Sequence, residues 1–287
     1  MKALKAKKQI LRSQISNARS RNNERQLERE LQRFFDRLSK QVQSNLEEYW
    51  SDHLLQGQIN LISKPVTEAQ AEYYLILQKY DKREYRLGVG EAQRLVKLAN
   101  KNYSFKAVKP RLNKRFDLFA TLRGAEQDLL DKVFIASQAT LNRVDTSIKT
   151  LLTEGYQSGK GINYVSNLLV KRFDQLQTWE AQRIARTEIH NSHNTAVMDT
   201  YNEYGVEYTM WIAADDERTR ESHLEINGEI IRLGDTYSNG LRFPGDTDGP
   251  IEEWINCRCS NAPYVLPYGY AAPPQQQFRE NDLIKIK

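Results

Sequence analysis

Cysteine is nearly absent from this chain: 287 residues contain two, Cys257 and Cys259, separated by a single arginine in WINCRCSNAP. A disulfide scaffold needs several spaced cysteines in a short secreted chain, so that class is excluded. No apolar run approaches the roughly 20 residues that span a bilayer, and no charged start leads into an apolar stretch and a cleavage site. The expectation is a soluble protein made in a reducing compartment, with no membrane partner. Two nucleotide-binding signatures are missing as well. Gly88 and Gly90 have neither a third glycine nor a preceding strand, which leaves a turn in place of a dinucleotide fingerprint. In GYQSGKGIN, Gly155 to Asn163, the glycines are a residue too close and Lys160 is followed by Gly161 where Ser or Thr should hold magnesium. That stretch reads as a helix-to-helix turn.

Acidic residues are missing from the first 23 positions, while Lys2, Lys5, Lys7, Lys8, Arg12, Arg19 and Arg21 all precede Glu24. The whole chain carries a formal net charge of +5. A basic arm over 1–22 suits nucleic-acid phosphates through counterion release, with Lys2, Lys5, Lys7, Lys8 and Arg12 as its contacts; a solvated, frayed end is the plain alternative. The basic connector KAVKPRLNKR is a second such stretch. Hydrophobic residues make up only 39%, which predicts that part of the chain lies outside any compact core.

What is present is helical periodicity. Leu27, Leu31, Phe34, Leu38 and Val42 recur every three or four residues with no proline between them, one face of an amphipathic helix. Pro65 should end an irregular link, after which Thr67 caps a second helix through AEYYLILQKY, and a third follows near Glu91 to Asn102. Leu130, Phe134, Ser137, Leu141, Val144, Ile148 and Leu151 alternate steps of four and three, a heptad-like seam on a helix from about Asp117 to Tyr156. Such a rod of about 60 Å packs within an intramolecular bundle or serves as an oligomer or docking seam. A short helix from Tyr164 to Phe173 precedes Thr178, a suitable N-cap for a helix that ends at Gly205. Beyond Gly205 the texture changes: EYTMWIA and EIIRL read as strands, DDERTRESHLE as a short helix, and glycine and proline crowd the loop before the cysteines. The fold class is thus mainly α, with long helices in the N-terminal part and a small C-terminal α+β module. Its divisions are a basic arm over 1–22, an elongated helical region over 23–160, helices and then the α+β unit over 161–263, and an extended tail over 264–287.

In chain order, RIARTEIHNSHNTA, Trp211, DERTRESH, an Asn-Gly pair, a proline-containing loop and NCRC together resemble the Mu F-like minor head protein family of tailed bacteriophages, also called phage head morphogenesis proteins. The resemblance covers about residues 160 to 263. It implies a minor capsid protein of the virion, placed in the capsid interior near the portal vertex after assembly in the host cytoplasm. The implied partners are the portal protein, the inner capsid or scaffold surface and packaged double-stranded DNA. The implied role is head morphogenesis with genome packaging or delivery. The rival readings are a sequence-nonspecific nucleic-acid-binding protein and a zinc-dependent enzyme.

In an extended segment, residues two apart face the same way, so Cys257 and Cys259 present two sulfurs together. One structural zinc is the functional reading of that pair, with His223 as third ligand and Asp216, His190 or His193 as fourth. Burial as small hydrophobes and redox chemistry are the alternatives. Arg186, His190 and His193 share one side of their helix, with Glu188 on another. Arg186 is expected to pair with a carboxylate such as Asp216, tying that helix to the α+β unit. Asp215 or Asp216 would cap the DERTRESH helix, with an i, i+4 pair from Asp216 to Arg220. Arg218 and Asn256 complete the structural motif. No catalytic residue is assigned, because HxxH is not the HExxH of zinc proteases and nothing fixes a substrate or an oxyanion donor.

Overall fold

A computed structural model describes residues 18–51, 53–103 and 122–286. The basic-arm residues Lys2, Lys5, Lys7, Lys8 and Arg12 lie outside the described residues, as does the connector KAVKPRLNKR. Among the described residues, six longer helices come first: α1 (Ala18–Tyr49), α2 (Gln56–Glu68), α3 (Gln70–Tyr103), α4 (Arg123–Gln157), α5 (Ile162–Gln175) and α6 (Ala181–Glu203). Short elements follow: β1 (Tyr208–Ile212), α7 (Glu221–Glu225), β2 (Ile230–Arg232), α8 (Ile251–Trp254), β3 (Ser260–Tyr264), β4 (Tyr270–Ala271) and β5 (Ile284–Lys285). The chain is therefore mainly α with a small α+β part near its C-terminus. Among the described residues no helix is long and apolar enough to cross a membrane.

The described residues fall into two compact units. A helical unit lies within Asn23–Tyr80 and Leu130–Ala185, and a sheet unit within Met1–Asn22, Asp81–Leu129 and Arg186–Lys287. These differ from the contiguous divisions expected from the sequence, because the boundaries fall inside α1, α3, α4 and α6.

In the helical unit the apolar face of α1 is buried as its period requires: Leu27, Leu31, Phe34, Leu38 and Val42 are all at 2% exposure or less. Phe34 and Phe35 pack on Tyr73 with ring centroids 5.3 and 6.1 Å apart. Pro65 stands inside α2 and does not end a link. The seam of α4 is also shifted from the expected one. Leu130, Ser137, Leu141, Val144 and Ile148 are buried, but Val133 and Leu152 replace Phe134 and Leu151 at its ends. Six steps from Leu130 to Leu152 average about 3.7 residues, the spacing of a nearly straight helix and not of a left-handed coiled coil. Phe134 turns outward to meet the Tyr74 ring edge-on at 5.2 Å. The Ser137 hydroxyl, buried on the seam, donates to the Phe134 carbonyl and accepts from Gln70. Thr178 is not an N-cap; α5 passes into α6 through a π-helical turn, Leu176–Glu180.

In the sheet unit α3 runs without a break through Gly88 and Gly90, so the expected turn is absent. The reason is contact: a Cβ on Gly88 would lie 2.4 Å from the His193 carbonyl oxygen and 2.8 Å from the Ala196 Cβ, so glycine serves close approach to α6. Gly205, at φ +66°, ends α6 as expected, and Val206 N–H returns to the Tyr201 carbonyl in a Schellman closure. The sheet is antiparallel in the order β2-β1-β3, with Thr209 opposite Ile231 and Pro263. All five residues of β1 are buried because both faces are covered. One face meets Val96, Val197 and Tyr201 through Ile212; the other meets Tyr237 and Leu241 through Trp211. The last segment is not a free extended tail: β4 pairs with β5, and Phe278, at 4% exposure, packs on Tyr208, Met210, Ile230 and Tyr264.

Candidate metal centre

His223, Cys257 and Cys259 meet in the sheet unit, all three buried, with their ligand atoms within 4.8 Å of one another. Local sequence chemistry brings them there. α7 opens at Arg220, whose extended ψ of 147° turns the chain into the helix and whose guanidinium donates to the Ile255 carbonyl at 2.6 Å. His223 falls on the inner side of that single turn, its ring edge-on to Trp211 at 5.1 Å, and Tyr237 supports Trp211 from beyond at the same distance. On the other side, α8 stops at Trp254, and Asn256 takes a left-handed φ of 56°. That reversal starts the extended segment in which Cys257 and Cys259 share a face before β3 pairs with β1.

His223 Nδ1 lies 3.3 Å from the Cys259 sulfur and 3.7 Å from that of Cys257. Its other nitrogen, Nε2, is 2.9 Å from the Glu253 carboxylate. Glu253 is itself held by the Ser222 hydroxyl at 3.0 Å and by the Asn239 amide at 3.3 Å. The Cys259 sulfur accepts a hydrogen bond from Cys257, and with further help from His223 this pulls the Cys259 thiol down to about 5 against the effect of burial. The same hydrogen bond, together with burial, pushes the Cys257 thiol up.

Asp216 does not join them. Its carboxylate accepts from the Arg258 guanidinium, which holds it well below the usual carboxylate range, and from the Arg218 N–H and Thr219 hydroxyl. The expected pairs with Arg186 and Arg220 are therefore replaced, and Asp216 closes the turn before α7 without capping it. Arg186 donates instead to Asn256 Oδ1 at 2.9 Å, while the Asn256 N–H donates to Thr187 Oγ1 at 3.1 Å. α6 is thus tied to the cysteine segment, through an amide and not a carboxylate.

His190 and His193 are also separate from the cluster. His193 Nδ1 lies 2.9 Å from Glu84; burial works against its charge, but the Glu84 carboxylate raises it overall. Burial, then the neighbouring His193, His223 and arginines, pushes His190 down to about 3, and its ring lies 3.0 Å from the Asn194 amide. Asn194 and Asn191 also donate to the Pro244 and Gly245 carbonyls at 2.9 and 2.6 Å, docking the glycine-rich loop on α6. Glu188 is pushed up to about 7 by burial. Sequence reasoning missed Glu253, Arg258 and these two asparagines. Only the position of Glu253, four residues before Cys257, set it apart from its neighbour Glu252.

A model of the family described as "Phage Mu protein F like protein" matches residues 146–262, a span that holds the whole cluster. A Haemophilus influenzae protein described as uncharacterized is 36% identical over 85 residues, covering 30% of this chain and 17% of that protein. The minor head protein GP7 of Bacillus phage SPP1 is 28% identical over 120 residues, covering 40% of this chain and 39% of GP7. No solved structure matches. The chain thus spans well under half of either relative. Over residues 146–262 the chain is similar to the Mu F-like minor head protein family.

Proposed function

We propose that this chain is a minor head component that binds the portal protein and inner capsid surface and takes part in head morphogenesis and genome packaging or delivery. Its place in that reading is the capsid interior near the portal vertex, reached after assembly in the host cytoplasm. The observation that carries the proposal is the match to GP7, a protein named for the phage head. Two features support it. In the helical unit Leu75, Ile135 and Trp179 stand at 59%, 65% and 51% exposure, apolar anchors of the kind that protein partners cover. The basic positions before Glu24 suit contact with packaged DNA by counterion release. The role is structural, with no catalytic residue assigned. The test is co-expression with the portal and capsid proteins of the same phage, followed by mass spectrometry of purified particles with crosslinking. The expected result is the chain in the particle, crosslinked to portal. Its absence from particles and failure to co-purify with portal would overturn the proposal.

A further inference from the structure

We propose that His223 Nδ1 and the sulfurs of Cys257 and Cys259 bind one zinc ion, which fastens α7 to the segment leading into β3. The first argument is spacing. Zinc bound to sulfur at about 2.3 Å and to nitrogen at about 2.0 Å with a tetrahedral angle places the two ligand atoms about 3.5 Å apart. The two nitrogen-to-sulfur distances here, 3.3 and 3.7 Å, lie on either side of that edge length. The second argument is the outer partner of the histidine. A metal-bound imidazole commonly donates its other N–H to a carboxylate, which fixes tautomer and ring orientation. His223 Nε2 meets Glu253 at 2.9 Å, and Glu253 is held from two further directions by Ser222 and Asn239. A histidine needed only to fill the core would not require so constrained a carboxylate. The third is softness: two sulfurs and one imidazole select zinc over magnesium or calcium, which take oxygen ligands.

The fold has reason to use the ion. α7 has five residues, too short to persist by its own hydrogen bonds, and β3 is preceded by a left-handed residue. A bond from His223 to both cysteines joins segments more than thirty residues apart in sequence. Among the described residues no other histidine, cysteine or carboxylate joins the cluster. The described residues thus supply three ligands, and a small molecule such as water completes the coordination.

The experiment uses the full chain, expressed in zinc-supplemented medium and analysed for metal. About one zinc per chain is expected, with Cys257→Ser/Cys259→Ser reduced to background. Glu253→Gln, a change in a positioning residue, is expected to retain the metal with affinity lowered about 10- to 100-fold in chelator competition. Because the double variant is at risk of misfolding, the wild-type protein is also stripped and titrated with cobalt(II). A saturable, intense visible spectrum with a sulfur-to-cobalt charge-transfer band at one equivalent supports the site. Less than a tenth of a zinc per chain, with only a weak octahedral cobalt spectrum, would overturn it. Neither readout depends on the phage-head reading, so the two proposals fail separately.

Discussion

Asn256 shows how one residue joins backbone and side-chain demands. Its left-handed φ of 56° is one that asparagine tolerates and alanine resists by roughly 1–2 kcal/mol. Its side chain also accepts from the Arg186 guanidinium, a charge-assisted bond worth roughly another 1.5 kcal/mol. Asn256→Ala is therefore expected to lower stability by about 2.5–3.5 kcal/mol, and Asn256→Gly by less, since glycine relieves the backbone and loses only the side-chain bond. Chemical denaturation of the three proteins checks the order; equal losses would remove the backbone argument. Asp216 is the contrasting case. It sits in a half-exposed ion pair with Arg258, and such pairs contribute below about 1 kcal/mol. Asp216→Asn should leave metal content unchanged, whereas a variant that loses zinc would return Asp216 to the ligand set. The residues legible in the sequence were the rare ones, His223 and the two cysteines, because two thiols in 287 residues are conspicuous. Glu253 and Arg258 were not legible, because charged residues are common and only the folded loop selects which of them turns inward.

Glycine within a helix carries opposite meanings at two positions of α3. Gly88 faces α6 with no room for a methyl group, since the nearest obstacle is a backbone carbonyl that cannot swing aside. Gly90 has nothing within 4 Å of its Cβ position and lies on the exposed side. Gly88→Ala should destabilise by roughly 1–3 kcal/mol through overpacking. Gly90→Ala should stabilise by up to about 1 kcal/mol through helix propensity and a less flexible unfolded chain. Thermal melts of both variants test the pair, and a matching sign would show that α3 and α6 do not approach as described. The same two glycines explain why the sequence suggested a turn here. Local chemistry records that a residue lacks a side chain, not whether backbone freedom or a neighbouring helix requires it. Long elements with strong period, α1 above all, were legible because burial of one face leaves a direct trace. The outward turn of Phe134 was not, since a heptad and a straight helix diverge by one residue only after several turns.

Across the sheet unit, the titrating groups of α3 and α6 favour a lower pH for stability. Asp81 is fully buried and raised well above its ordinary range, first by burial and then by the nearby Glu188, with the Ser192 hydroxyl donating to it at 2.6 Å. Glu84 and Glu91 flank His193, and burial pushes Glu188 up to about 7. Neither helix looked unusual on its own in the sequence: the carboxylates are about a hundred residues from their partners, and only the assembled unit brings them together. The sign follows from the direction of each shift. A carboxyl raised from 4.5 to about 7 binds more protons folded than unfolded, so stability falls as pH rises through that interval and then levels off. His193, also raised, contributes stability that is present below its unfolded value near 6.5 and is lost as pH climbs through its folded one. Cys259 opposes both, since a thiol lowered to about 5 gains stability with rising pH. A comparison of variants removes that term. Glu188→Gln retains the cysteines and His193, so its difference from wild type isolates the carboxyl and its repulsion of Asp81. The two proteins should melt alike near pH 4.5, and the variant should be more stable at pH 8 by up to about 3 kcal/mol, several degrees in Tm. Calorimetry at the two pH values with metal content held constant decides the matter. A difference that does not change with pH would mean that Glu188 ionises as an ordinary surface carboxylate.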